Sequence, residues 1–150
     1  MSLKINALLF YLPLSFLLAM NITAQESPSP VRLDTDLIGG IGLTSLPENP
    51  YEDIVVSGEM NIRLGSLYNG EEIRVSIFES TAATTDHRNS PLPIDEYVYV
   101  LSGKLILTEP DGTVQEFTTG DSVVVPKGYR GTWEMQGLYR ELVVMKARPE

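Results

Sequence analysis

Nowhere beyond residue 24 do apolar residues recur at three- and four-residue spacing for ten positions with a cap at each end. Runs of β-branched and aromatic residues recur instead between turn signals, and this pattern constrains the fold more than any other feature. Strands are expected over 53–57, 59–67, 72–80, 94–101, 104–108, 114–117, 122–125, 132–135 and 139–147. Tyr68-Asn69-Gly70, Ser102-Gly103 and Asp111-Gly112 read as tight turns, because Asn-Gly and Asp-Gly supply the positive φ that short hairpins need. About nine short strands with little or no helix make an all-β sandwich or barrel. A chain of 150 residues, 43% hydrophobic, has room for one core of this kind.

The first 24 residues differ from the rest. Lys4 precedes an apolar run, Ala7 to Met20, interrupted only by Pro13 and Ser15. The run is short for a bilayer span, which takes about 20 apolar residues. Ending at Ile22-Thr23-Ala24, it reads as a secretory signal peptide over 1–24, cut after Ala24, with an uncleaved anchor as the alternative. Export to the periplasm or medium is the expectation, without membrane insertion after cleavage. There is no Cys, so the exported fold holds together by packing alone. Residues 25–50, opened by the polar, Pro-rich stretch 25–30 and carrying Gly39, Gly40, Gly42, Pro47 and Pro50, read as a flexible arm or loop. The remaining 51–150 form the domain.

The net charge is −9, and −10 once Lys4 is removed with the leader. Nucleic acid is a poor partner for such a surface, since phosphate backbones are bound by Lys/Arg clusters.

Along 94–101, alternation sets Ile94, Glu96, Val98 and Val100 on one face and Asp95, Tyr97, Tyr99 and Leu101 on the other. Both faces are largely apolar. The Tyr97/Tyr99/Leu101 face is therefore expected either to pack a homodimer or to lie under the N-terminal arm.

Two spacings carry a resemblance. Glu96 is followed by six residues and Gly103; Gly120 is followed by five residues and Pro126-Lys127-Gly128. Physically the second segment is a turn, a strand ended by Pro126, and a backbone reversal that Gly128 permits. Together the two segments resemble the paired motifs of the cupin family. The runs PKGYRGTW and DEYVYVLSGK are similar to the small cupins related to ureidoglycine aminohydrolase and the ethanolamine-utilisation cupin. The resemblance covers roughly 54–145 and implies a single-domain, RmlC-like jelly-roll β-barrel.

Metal-binding cupins carry His-x-His shortly before the Glu and a further His after Pro-x-Gly. Here residues 89–93 are Asn, Ser, Pro, Leu and Pro, and Gly131 stands at the second His position. Glu96 alone matches the ligand set, and one carboxylate does not hold a transition metal. His87, the only histidine, reads either as a surface loop residue beside Asp86 and Arg88 or as a second ligand with Glu96 to a divalent metal. If Gly131 and Trp133 face inward, the indole occupies the vacated space, either as a plug of the barrel or as the floor of a ligand slot. A buried Glu96 needs a partner, and Arg74, Arg130 and Arg140 are candidates. Arg74 is expected to face away from Ile73 and Val75, with Tyr129 and Arg130 at the pocket mouth.

The expectation is an exported module that binds a small organic ligand through Glu96, Trp133, Arg130, Tyr129 and Arg74, with no cofactor. The alternative is a ureidoglycine aminohydrolase-like hydrolase or isomerase with Glu96 as its acid/base. Against the alternative stands the want of a second titrating group near Glu96.

Overall fold

The computed structural model describes residues 27–147, so the expected signal peptide lies outside the described residues. No helix among them is long and apolar enough to cross a membrane. Nine strands follow a single short helix: α1 (Thr35–Ile38), β1 (Thr44–Ser45), β2 (Val55–Gly58), β3 (Ile62–Asn69), β4 (Ile73–Ser80), β5 (Ala83–Asp86), β6 (Glu96–Thr108), β7 (Val114–Thr118), β8 (Ser122–Val125) and β9 (Thr132–Lys146). A 3₁₀ turn, Glu52–Ile54, leads into β2.

All pairings are antiparallel. The spine is the pair β6 and β9, two long strands that run through both halves of the barrel. The first part of β6 and the last part of β9 join β1, β3, β4 and β8 in one layer: β4 pairs with the 139–146 part of β9, and β8 with the 96–99 part of β6. Their other parts join β2, β5 and β7: β5 pairs with 132–135 of β9, and β7 with 104–108 of β6. The sequence divides each of these strands in two. Ser102-Gly103 is not a hairpin turn but a bulge within β6, where the β6–β9 register shifts between Val100 and Lys104. Gly103 (φ 74°) and Gly137 (φ 73°) face each other there, and a Cβ on Gly103 would meet the Gln136 carbonyl. A left-handed glycine at this point bends the strand without ending it.

Two further elements escape the alternation. β5 is four residues with a polar exterior, and β1 is two residues on the edge beside β3. α1 also falls in the stretch read as loop; Asp34 caps it, accepting hydrogen bonds from the backbone N–H groups of Asp36 (2.8 Å) and Leu37 (3.2 Å).

The core lies between the layers and is built from Ile62, Val98, Val100, Leu105, Leu107, Val125, Trp133, Met135, Tyr139 and Val143 among others. On the outer face, Glu79 is buried beneath a row of two cations: Arg63 and Arg140 both bond its carboxylate, each through Nε at 2.7 Å. Arg140 in turn lies against Gly40, where a Cβ would strike the guanidinium and where φ is 87°, a conformation that favours glycine. Leu37 and Leu43 lie against Gly65. The arm is thus held over β3 and β9 and leaves Tyr97 and Tyr99 40% and 37% exposed.

Candidate functional site

The Gly120 to Gly131 segment folds as its residues dictate. β8 ends at Pro126, Gly128 takes φ 88°, and the chain reverses into β9. A second crossing, residues 87–95, runs beside it. The two are tied by Leu92 N–H to the Tyr129 carbonyl (3.1 Å), Gly128 N–H to the Leu92 carbonyl (2.8 Å) and Lys127 N–H to Asp95 Oδ1 (2.8 Å). These ties close one side of the barrel.

Behind the crossings the space is filled. Leu92, within the 89–93 stretch that precedes Glu96, is part of the buried core. A side chain at Gly131 would strike the Tyr129 phenol and the Thr108 carbonyl. The Tyr129 hydroxyl donates toward the Thr108 (3.3 Å) and Thr132 (3.1 Å) carbonyls, and burial pushes it up to about 12, with Glu109 adding to the rise. It is Tyr129, more than Trp133, that occupies the space beside Gly131. Trp133 is 7% exposed and packs in the core, its ring 6.4 Å from that of His87.

His87 is buried rather than solvated. One ring nitrogen, Nε2, lies 3.1 Å from Thr85 Oγ1 and the other, Nδ1, 3.1 Å from the Ser90 carbonyl. Its pKa is lowered, chiefly by burial. With both nitrogens engaged, His87 has no lone pair directed at a metal. Among the described residues no group of three or more His, Cys, Asp or Glu side chains is gathered to hold a metal ion, and the residues present do not fit one.

Glu96 lies on the inner face of the other layer. Strand register sets three rows across β4, β9 and β6: Arg74, Met145 and Glu96; then Ser76, Val143 and Val98; then Phe78, Glu141 and Val100. Residues directly opposite in antiparallel strands share a face, so all nine side chains line one wall. Exposure falls along it. The first row is half-buried, while Glu141 and Val100 are closed off from solvent. The first row is therefore a mouth.

Burial raises the Glu96 pKa, and among the described residues no hydrogen bond or ion pair reaches its carboxyl. Burial also pushes Glu141 up to about 8, opposed by the hydrogen bond from the Tyr139 hydroxyl to Oε2 and reinforced by the field of Glu96. Tyr139 is itself raised, first by burial and then by Glu141. Sequence reasoning missed Glu141. Its signal was the alternation Tyr139, Glu141, Val143, Met145, which sets an acid on the apolar face of a strand.

The arginines separate. Arg140 belongs to Glu79, and Arg130 is exposed, donating to the Arg88 carbonyl at 2.7 Å. Of the three, Arg74 alone shares a face with Glu96, turned away from Ile73 and Val75 as alternation predicts. Arg74 Nε is buried with no hydrogen-bond partner among the described residues, and Nη2 donates only to the Met145 sulfur at 3.3 Å.

A family model described as the EutQ-like cupin domain matches residues 67–141, half of the chain, spanning Glu96, the Gly128 corner and Glu141. The chain belongs to the EutQ-like cupin family. Solved structures agree on the fold of this cupin. A protein of unknown function from Pseudomonas syringae pv. tomato is 25% identical with a TM-score of 0.60, over 69% of this chain and 43% of that one. The EutQ protein of Clostridium difficile is 20% identical with a TM-score of 0.51, over 64% of this chain and 78% of its own. A putative ethanolamine utilization protein from Salmonella typhimurium is 20% identical with a TM-score of 0.50, covering 59% and 72%. No curated protein sequence matches the cupin.

Proposed function

We propose that this cupin is a metal-free binding module that holds a small polar ligand at the mouth formed by Arg74, Met145 and Glu96. The observation that carries the reading is Glu96: a half-buried carboxyl, raised by burial, that meets no hydrogen-bond or ion-pair partner among the described residues. A group left in that condition costs stability unless something else completes it, and a ligand donor does so. The filled space around Gly131 and the engaged ring of His87 argue against a metal in the usual cupin position. The test is a thermal-shift screen of small polar metabolites on the wild-type protein and Glu96→Gln. A ligand that raises the melting temperature of the wild type only supports the reading. A stoichiometric transition metal in the purified protein overturns it.

A second reading is favoured by one observation. Glu141 is within the electrostatic reach of Glu96, so two acids with raised pKa values share the inner wall. Paired acids of this kind suit proton transfer, and they would supply a hydrolase or isomerase with the second titrating group that the motif spacings do not reveal.

The exported location rests on Lys4 and the apolar run behind it, and mass spectrometry of the native amino terminus tests it: a chain beginning at Gln25 is expected. A homodimer is the proposed assembly, through the outer face of the layer that carries the mouth. Tyr97 stands opposite Val124 there, and the two are 40% and 60% exposed, with Tyr99 on the same face of β6.

A further inference from the structure

The first row of the inner wall has charge at both ends and none in the middle. Arg74 is on β4, Met145 on β9 and Glu96 on β6, at successive strand positions. Two inter-strand steps set the backbones of Arg74 and Glu96 roughly 10 Å apart. No ion pair joins them, and the raised Glu96 is not drawn down by any cation. Each end is incomplete in its own way. Arg74 has a buried Nε–H with no acceptor, and its terminal nitrogen meets only a thioether, a weak acceptor. Glu96 has no donor among the described residues. The protein therefore presents, on one face of one row, an unsatisfied cation and an unsatisfied acid with an apolar sulfur-bearing side chain between.

A simple cation would satisfy Glu96 and leave Arg74 orphaned. A simple anion would satisfy Arg74 while approaching an acid on a chain of net charge −9. A molecule with both charges and a short apolar link completes both ends and covers Met145. Resting on the binding-module reading and narrowing it, we propose that the ligand is a short amino acid in its zwitterionic form, its carboxylate on the Arg74 guanidinium and its ammonium on Glu96. The forked guanidinium suits a planar carboxylate, which accepts two hydrogen bonds side by side, and a lysine there would not reproduce the pair. Val143 and Val98 in the next row are buried, so the wall behind Met145 and Glu96 is apolar.

The experiment is isothermal titration of the full chain with glycine, β-alanine and γ-aminobutyrate, which step the distance between the charges, and with the half-molecules propionate and propylamine. One of the three amino acids is expected to bind at least tenfold more tightly than either half. Arg74→Gln and Glu96→Gln, checked for intact folding by circular dichroism, should each lose that margin, while Arg74→Lys retains part of it. Propylamine binding as tightly as every amino acid, with Arg74→Gln silent, overturns the zwitterion and leaves the binding module standing. Silence from all three amino acids overturns the assignment whatever the half-molecules do. A library hit in the thermal-shift screen that survives both substitutions overturns the site itself.

Discussion

Tyr129 folds its phenol against Gly131, and between them the ring and the Thr108 carbonyl fill the volume a side chain at 131 would take. The glycine is thus required by the packing.

Placing a histidine at this position should therefore not create a metal site. Gly131→His is expected to destabilise the fold by about 1–3 kcal/mol, the usual cost of overpacking. Elemental analysis should find no stoichiometric manganese, nickel or zinc in it. A variant that folds as well as the wild type and loads metal would show that the corner opens at little cost.

Glu141 makes stability depend on pH with a definite sign. Its folded-state pKa is raised from 4.5 to about 8, so the folded protein holds a proton that the unfolded chain releases. The contribution is fully present below about 4.5 and is lost as pH rises through about 8. Glu96 is raised as well and acts in the same direction. Denaturant unfolding should show stability falling by a few kcal/mol between pH 5 and pH 8, since a tenfold difference in proton affinity between the two states is worth about 1.4 kcal/mol. Glu141→Gln, which keeps the shape and loses the titration, should flatten most of that slope.

Glu79 should be the most damaging single loss on the outer face. It is 1% exposed and its single carboxylate pairs with both Arg63 and Arg140. Removing one partner from a buried ion group costs about 3–5 kcal/mol. Glu79→Gln should lower stability by that order. It should also loosen the arm, because Arg140 would no longer be held beneath Gly40. Limited proteolysis within 35–43 reads the second effect, and Gly40→Ala should expose the same bonds while leaving the barrel folded.

Light scattering tests the assembly. Tyr97→Ser combined with Val124→Ser should convert the dimer to a monomer without changing ligand binding, since both side chains lie on the face opposite Glu96. A wild-type protein that is monomeric at tens of micromolar would remove the proposal.

The strands from β3 to β8 were legible wherever alternation met a strong turn signal, as at Asn69-Gly70 and Asp111-Gly112. Ser102-Gly103 carried the same signal and was misread. A left-handed glycine marks a change of direction, but its sequence does not say whether the strand ends or bends. β1 and β5 were missed because neither carries an apolar run; their order comes from the edges they pair with. The short helix was hidden because Asp34 and four following residues are too few for any periodicity to show.

The site was half legible. Glu96 and the inward direction of Arg74 follow from motif spacing and from two-residue alternation. The partners of the arginines do not, since Arg140 and Arg74 are each set by a residue on another strand, Glu79 and Met145. His87 looked like a polar loop residue because its neighbours Asp86 and Arg88 are. Their side chains bond each other at the surface while the imidazole turns inward. Glu141 was overlooked because an acid on a strand is read as solvent-facing by default.

Gly103 and Gly137 meet where β6 and β9 turn from one layer into the other, so both layers hang on a single crease shared by two strands. Neither half has a complete set of strands without the other, and there is no seam at which one could come undone first. The barrel should open as one cooperative unit, with the slowest-exchanging amides on either side of that fold line. Any change that widens the crease should reach the mouth at Glu96 and the plug at Trp133 together.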